Sequence, residues 1–211
     1  MKIGIIGAGN IGASTAKLFI KAGHEIAIAN SRGAETLADL AKEIGAKGLD
    51  LEDAARFGEI VLIAVPFGKY RTLPAEVFLN KIVIDANNYY PDRDGQFADI
   101  DDGKITSSEL LAAHLKDARI VKAFNTIWFE HLKTKGNTNL PIEDRRAIFV
   151  AGDDAEAKKI VSNLIEEIGF APVDTGNLRD GGLTQEPGTA VYNRELTASD
   201  AQAMLDGGGG Y

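Results

Sequence analysis

The feature that most limits what this chain can become lies in its first twelve residues. Lys2-Ile-Gly-Ile-Ile6 is a short apolar run, and Gly7-Ala-Gly-Asn-Ile-Gly12 follows it at once. A strand running into Gly7, Gly9 and Gly12 at this spacing, and then into a helix, is the fingerprint of a βαβ unit that binds a dinucleotide. Gly7 allows the tight turn, Gly9 lets the backbone approach a pyrophosphate, and Gly12 permits close packing of helix on strand. A helix beginning near Asn10 and Ile11 points free N–H groups at the anion, so Ala8–Gly12 is the predicted cradle.

The rest of the chain repeats the alternation. Glu25–Ala29, Ile60–Val65, Ile82–Asp85, Arg119–Phe124 and Ala147–Ala151 are further strand candidates, rich in Ile and Val as parallel strands covered on both faces are. Helical patterns over Ile11–Ala22, Glu35–Ile44 and Ala155–Ile168 each stop at a glycine, the expected left-handed cap. Ser107 and Ser108 are candidate N-caps for a helix over Glu109–Leu115. Strand–helix alternation of this kind predicts an α/β fold with a doubly wound, mostly parallel sheet, that is, a Rossmann domain. Residues 87–104 and 135–143 read as long loops. After Val173 the chain turns Gly-rich and loses its periodicity. Residues 1–178 therefore read as the nucleotide-binding domain, and 179–211 as a short, irregular C-terminal extension of the same domain. Within it Thr197–Leu205 is a candidate last helix capped by Thr197, and Gly207–Gly210 reads as frayed. Pro187-Gly188 predicts a turn that either covers the site or meets a second subunit.

The end of the second strand selects the cofactor. In NAD-binding versions an acidic residue stands there and bonds the ribose 2′-hydroxyl. Here Glu25–Ala29 runs into Asn30-Ser31-Arg32, with no acid. Ser31 can donate a hydroxyl hydrogen bond, and Arg32 can grip a phosphate through two N–H groups. The expected cofactor is NADP(H), its 2′-phosphate on Ser31 and Arg32.

Ligands of doubly wound sheets lie over the carboxyl ends of the strands, where strand order reverses. Three further ends are candidates. Ala64-Val65-Pro66-Phe67 offers a proline-fixed turn and, in Phe67, a flat wall for a ring. Asn87, with Asn88 beside it, follows the next strand. Asn125 and Thr126 follow the next, behind Phe124, which reads as a core residue. Neither His24, His114 nor His131 stands in an acid–base constellation. There is no Tyr-x-x-x-Lys pair after the sheet, which argues against short-chain carbonyl reductases. Asp99, Asp101 and Asp102 do not meet the spacing of a calcium loop and read as a solvated turn.

Bulk properties narrow the rest. A net charge of -8 speaks against nucleic acid as a partner, since a phosphate backbone is met by excess Lys and Arg. With 0 cysteines, disulfides and thiolate metal sites are excluded. No apolar run approaches the ~18 residues of a membrane span, and no signal-peptide layout precedes Lys2. The expected location is cytoplasmic, with no membrane partner.

Beyond single motifs, the chain resembles the NADP oxidoreductases dependent on the deazaflavin coenzyme F420. It also resembles the cytoplasmic reductase domain of six-transmembrane ferric reductases, from the same superfamily. The resemblance runs from Met1 to about Leu178. It rests on Gly7–Gly12, Ser31-Arg32, Val65-Pro66, Arg119-Ile-Val-Lys-Ala-Phe-Asn-Thr126, Gly152-Asp-Asp-Ala-Glu-Ala-Lys-Lys159 and Pro172-Val-Asp-Thr-Gly176. It implies a homodimeric NADPH-dependent oxidoreductase in which a flat ring acceptor, a deazaflavin or a flavin (FMN or FAD), sits against the nicotinamide and exchanges a hydride with it. By the same resemblance Val65–Phe67 would face the nicotinamide ribose, and Asn125–Thr126 would border the acceptor pocket. The deazaflavin reductases can carry histidine where this chain has Asn125. The Lys122-Ala-Phe-Asn125 form and the Asn87-Asn88 pair look closer to the ferric-reductase domain. Two other readings fit the motifs: a redox-sensing NADP(H)-binding module without turnover, and a small imine or hydroxyacid reductase whose site a partner subunit completes.

Overall fold

The computed structural model describes residues 1–207; the remainder of the glycine run, 208–210, lies outside the described residues. Lys2–Ile6 (β1) runs through the glycine turn into Asn10–Lys21 (α1), followed by Glu25–Ala29 (β2), Ala38–Ile44 (α2), Lys47–Gly48 (β3) and Leu51–Phe57 (α3). Ile60–Ile63 (β4) and Ile82–Asp85 (β5) come next, with two 3-10 turns, Phe67–Thr72 and Ala75–Phe78, between them. Pro91–Asp94 (α4), Ala98–Asp101 (α5) and Ser107–His114 (α6) lead to Arg119–Ala123 (β6) and Phe129–Thr134 (α7). The chain ends in Ala147–Gly152 (β7), Ala155–Glu167 (α8), Ala171–Gly176 (β8), Asp180–Thr184 (α9) and Ala198–Asp206 (α10).

The strands form one sheet in the order β3-β2-β1-β4-β5-β6-β7-β8. All neighbours are parallel except β6 and β7. This is the doubly wound α/β arrangement, and strand order reverses between β1 and β4. Side chains alternate across the sheet as the pleat requires. Ile3 and Ile5 pack on one face with Phe19 of α1 and Leu164 of α8. Ile6, Val61, Ile63 and Val83 pack on the other with Ala54 of α3 and Leu111 of α6. A third cluster, built on Phe149, Val173, Val191 and Ala201, fixes the C-terminal stretch against β7 and β8.

Several sequence expectations need correction. The cap of α6 is Thr106, not Ser107 or Ser108: its hydroxyl accepts the Glu109 N–H while the Glu109 carboxylate accepts the Thr106 N–H. Both serines are buried inside the first turn, where they serve another purpose. The stretch 87–104 is not plain loop but carries α4 and α5. Periodicity does not end at Val173, since β8 continues to Gly176 beside β7. The helix expected over 35–44 begins as a 3-10 turn, Ala34–Leu37, and becomes α-helical only at Ala38. The strand expected to reach Val65 stops at Ile63, because the Val65 N–H turns away to the Asn87 side chain.

Candidate functional site

The three glycines of the first turn differ in what they do. Gly7 sits at φ +114°, and a Cβ there would lie 2.1 Å from the Ala64 carbonyl oxygen. A Cβ on Gly12 would lie 1.8 Å from the Gly7 carbonyl oxygen, so α1 rests directly on the turn. A Cβ on Gly9 would meet nothing within 4 Å. Gly7 and Gly12 are thus required by the fold, whereas Gly9 leaves open a space that the fold does not use. Gly9 is also the N-cap of α1, with no side-chain cap bond and no acid in the first turn. The positive end of the helix dipole therefore faces that space without a protein counter-charge.

Around this turn lies a cleft of about 450 Å³. It joins Gly7, Ala8 and Gly9 to Asn30, Ser31 and Arg32 on one side and to Ala64, Val65 and Pro66 on the other. Asn10, Ile11 and Gly12 follow directly as the first turn of α1. Asn30 shapes the second strand's end: its Oδ1 accepts the Arg32 N–H at 2.8 Å, and its amide donates to Thr36 Oγ1 at 2.9 Å. Ser31 and Arg32 are carried at the exposed tip, and Arg32 has no ion-pair partner among the described residues. A larger groove, about 570 Å³, lies around Arg119, Asp154 and Glu156. Those charges pair with one another, and Arg119 begins β6, at the opposite end of the strand from Asn125. The smaller cleft is the one at the point where strand order reverses.

The remaining predicted residues are placed differently. Phe67 gives no wall to the cleft. Its ring is fully buried, stacked on Tyr70 at 4.9 Å and edge-on to Phe97 at 5.3 Å, because the turn after Pro66 directs it into the second core. Asn87 and Asn125 are buried at 2% and 4% exposure, with Thr126 equally enclosed. Asn87 Oδ1 accepts the Val65 N–H at 2.8 Å, which ties the end of β5 to the cleft wall. Asn125 Nδ2 donates to Asn88 Oδ1 at 3.0 Å and to the Gln185 carbonyl at 2.8 Å. The Thr126 carbonyl accepts the Asn193 N–H. Asn125–Thr126 are thus covered by residues 185–193. Among the described residues, Asn87 Nδ2, Asn125 Oδ1 and Gln185 Oε1 lack partners. Phe124, read as core, is fully buried against Phe19, and it holds φ +66°. A positive φ in a bulky residue stores about 1–3 kcal/mol of strain and marks a backbone forced to turn sharply where Asn125 begins.

The three histidines make structural contacts. His24 binds Glu167 at 2.8 Å, His114 meets the Leu73 carbonyl at 2.8 Å, and His131 lies 3.6 Å from Glu195. In the acidic loop, Asp102 pairs with Lys104 and Asp101 accepts the Tyr89 hydroxyl.

Sequence reasoning missed a buried polar cluster beneath Asn87. Lys122 is fully buried, with Nζ 3.0 Å from Ser108 Oγ and 3.4 Å from Ser107 Oγ and the Asn87 carbonyl. Its carboxylate neighbours are Asp85 at 3.9 Å and Glu186 at 3.8 Å. Ser108 donates to Asp85 and Ser107 to Glu186, both at 2.7 Å. Asp85 also accepts the Asn87 N–H at 3.0 Å, so both backbone groups of Asn87 are held by this cluster. A signal was available: lysine within an otherwise apolar strand run is almost never buried without a partner. Beside it, the Tyr90 and Tyr192 hydroxyls contact one another, and burial with this contact pushes the Tyr192 phenol above its ordinary range.

Comparisons agree with this geometry. The family described as NADP oxidoreductase, coenzyme F420-dependent, matches residues 2–89. The metalloreductase STEAP3 of Rattus norvegicus is 28% identical over 179 residues, covering 84% of this chain and 34% of its own length. This chain therefore spans about a third of that relative. The F420-dependent NADP reductase of Methanocaldococcus jannaschii is 30% identical over 147 residues, 65% of this chain and 62% of that one. The crystal structure of a hypothetical protein from Sinorhizobium meliloti superposes with a TM-score of 0.81 at 31% identity, covering 93% of this chain and 95% of the other. Among the described residues no helix is long and apolar enough to cross a membrane. With its glycine turn and strand order, the chain is similar to the coenzyme F420-dependent NADP oxidoreductases, whose family model matches residues 2–89.

Proposed function

We propose that this chain is an NADPH-dependent oxidoreductase that exchanges a hydride between NADP(H) and a flat ring acceptor, a deazaflavin or a flavin. One observation carries the reading. The cleft at the strand-order reversal combines an uncapped helix N-terminus, an open Gly9 and an Arg32 unpaired among the described residues, with no carboxylate among its lining residues. In a chain of net charge -8, such a cleft is built for a polyanion.

The first turn of α1 would hold the pyrophosphate by its free N–H groups, and Ser31 with Arg32 the 2′-phosphate. Val65 and Pro66 would face the nicotinamide ribose. When bound, NADPH supplies the hydride. The protein's part is placement: Asn87 fixes the wall through Val65, and the Asn88–Asn125 amide pair fixes the neighbouring strand end. The family resemblance supports a homodimer and a cytoplasmic location. A one-chain mass by light scattering across a wide concentration range would remove the dimer.

The test follows NADPH oxidation by the purified protein with a deazaflavin, FMN and FAD offered separately, beside Arg32→Ala. Turnover with one ring acceptor, and a loss in Arg32→Ala of about tenfold or more for NADPH but little for NADH, is the expected result. Equal losses for both cofactors would sink the 2′-phosphate assignment. Tight NADPH binding without turnover on any ring would favour the sensing module.

A further inference from the structure

The cleft holds a second cation that the glycine and Ser-Arg motifs do not announce. Lys69 lines it together with Arg32, and it too lacks an ion-pair partner among the described residues. The two cations come from different walls. Arg32 follows β2 and Lys69 follows β4, and β2 and β4 are the two neighbours of β1, whose glycine turn forms the floor between them.

Lys69 is aimed by its surroundings. It sits in the 3-10 turn Phe67–Thr72, between Phe67 and Tyr70, whose rings are buried and stacked at 4.9 Å. Those two rings pin the turn to the second core. Lys69 N–H donates to the Pro66 carbonyl at 2.9 Å, and its own carbonyl accepts the Thr72 hydroxyl at 2.8 Å. With Phe67 and Tyr70 turned inward, the Lys69 side chain is left exposed on the cleft side. The burial of Phe67 thus has a purpose other than facing a ring: it anchors the turn that presents Lys69.

Charge sets the demand. NADP(H) brings a pyrophosphate and a 2′-phosphate that carries about two charges near neutral pH, as a phosphoserine does. The helix N-terminus offsets roughly half a charge at the pyrophosphate. Arg32 alone leaves the 2′-phosphate half neutralised. We propose that Lys69 is a specificity-determining residue that grips the 2′-phosphate jointly with Arg32, from the opposite wall. This rests on the reading of the cleft as an NADP(H) site.

The experiment is calorimetric titration of the full chain with adenosine 2′,5′-bisphosphate and with 5′-AMP, so that no acceptor need be known. Wild type, Lys69→Met, Lys69→Arg and Arg32→Gln are compared, with circular dichroism to confirm that each is folded. Lys69→Met should weaken the bisphosphate about tenfold and 5′-AMP less than about twofold, and Lys69→Arg should restore most of the loss. A similar loss for both ligands would assign Lys69 to the 5′-phosphate side and overturn the proposal. So would no loss for either. If wild type itself prefers the bisphosphate by no margin, and Arg32→Gln changes nothing, the NADP(H) reading fails as well. If Arg32→Gln alone is selective, only the role of Lys69 is lost.

Discussion

Replacing Lys122 by methionine removes one charge from a place where water cannot substitute for it. The side chain is fully buried, Asp85 is 1% exposed and Glu186 15%. Methionine fills nearly the same volume, so the packing loss is small. What remains is two carboxylates, each with a serine donor but without the ammonium between them. Breaking a buried charge group from one side costs about 3–5 kcal/mol, because the partner charge stays buried and uncompensated. For a chain of this size that corresponds to a fall in Tm of about 6–20 °C. Urea denaturation followed by circular dichroism gives the free energy, and a thermal scan gives the Tm. The triple variant Lys122→Met with Asp85→Asn and Glu186→Gln should recover most of the loss, since neutral amides can keep the serine bonds without stranded charge. A loss below about 1 kcal/mol in the single variant would refute the reasoning, as would a triple variant less stable than the single one.

Two further outcomes follow from the same structure. Gly9→Val should keep the fold, changing stability by no more than about 1 kcal/mol, because its Cβ enters open space, yet abolish NADPH and NADH binding in fluorescence titration. Retained affinity would remove the phosphate cradle. The Arg119 guanidinium, bonded to Asp154 at 2.6 and 2.9 Å, with the Ala157 N–H beside it, holds the Asp154 carboxyl well below the usual carboxylate range. A depressed folded pKa contributes stability that is present above the unfolded value of about 3.9 and is lost as pH falls below it toward the folded value. Asp154→Asn keeps the cap of α8 but loses this, so the Tm gap between wild type and variant should close as pH falls from about 4 toward 2. A gap constant from neutral pH to 2 would contradict it.

The candidate nucleotide cleft is the part of the site most legible in the sequence, because its signals are local. Gly7–Gly12 encodes turn, cradle and helix start within six positions, and Asn30-Ser31-Arg32 is contiguous. The missed parts are joined only by tertiary structure. Lys69 reaches the cleft because Phe67 and Tyr70 are buried, and nothing in the run Phe67-Gly-Lys-Tyr says which ring faces inward. The aromatic reading of Phe67 went astray for that reason. Lys122 did carry a signal, but its partners Ser107, Ser108 and Glu186 stand 15, 14 and 64 positions away. The serines looked like caps because cap and buried donor use the same hydroxyl; Thr106, one residue earlier, took the cap. The reversal of β7 was not visible either, since an apolar run has no direction.

That reversal bears on the order in which the molecule assembles. β7 and β8 run against the first six strands, and the chain then returns through α9 to lay Gln185 and Tyr192 on the ends of β5 and β6. The bonds made there span 60 residues from Asn125 to Gln185 and 104 from Asn88 to Tyr192. Both bonds also wait on residues synthesised after β7 and β8, and each carries the loop-closure cost of a distant contact. A chain leaving the ribosome has its glycine turn, Arg32 and Lys69 long before Glu186 arrives to join Lys122. NADPH binding to such a nascent chain would stabilise the first half by mass action while the amide edge at Asn125 is still open. The cofactor would then act as a folding ligand for the half that grips it, with residues 185–193 closing over Asn125 and α10 packing on β7 and β8 afterwards.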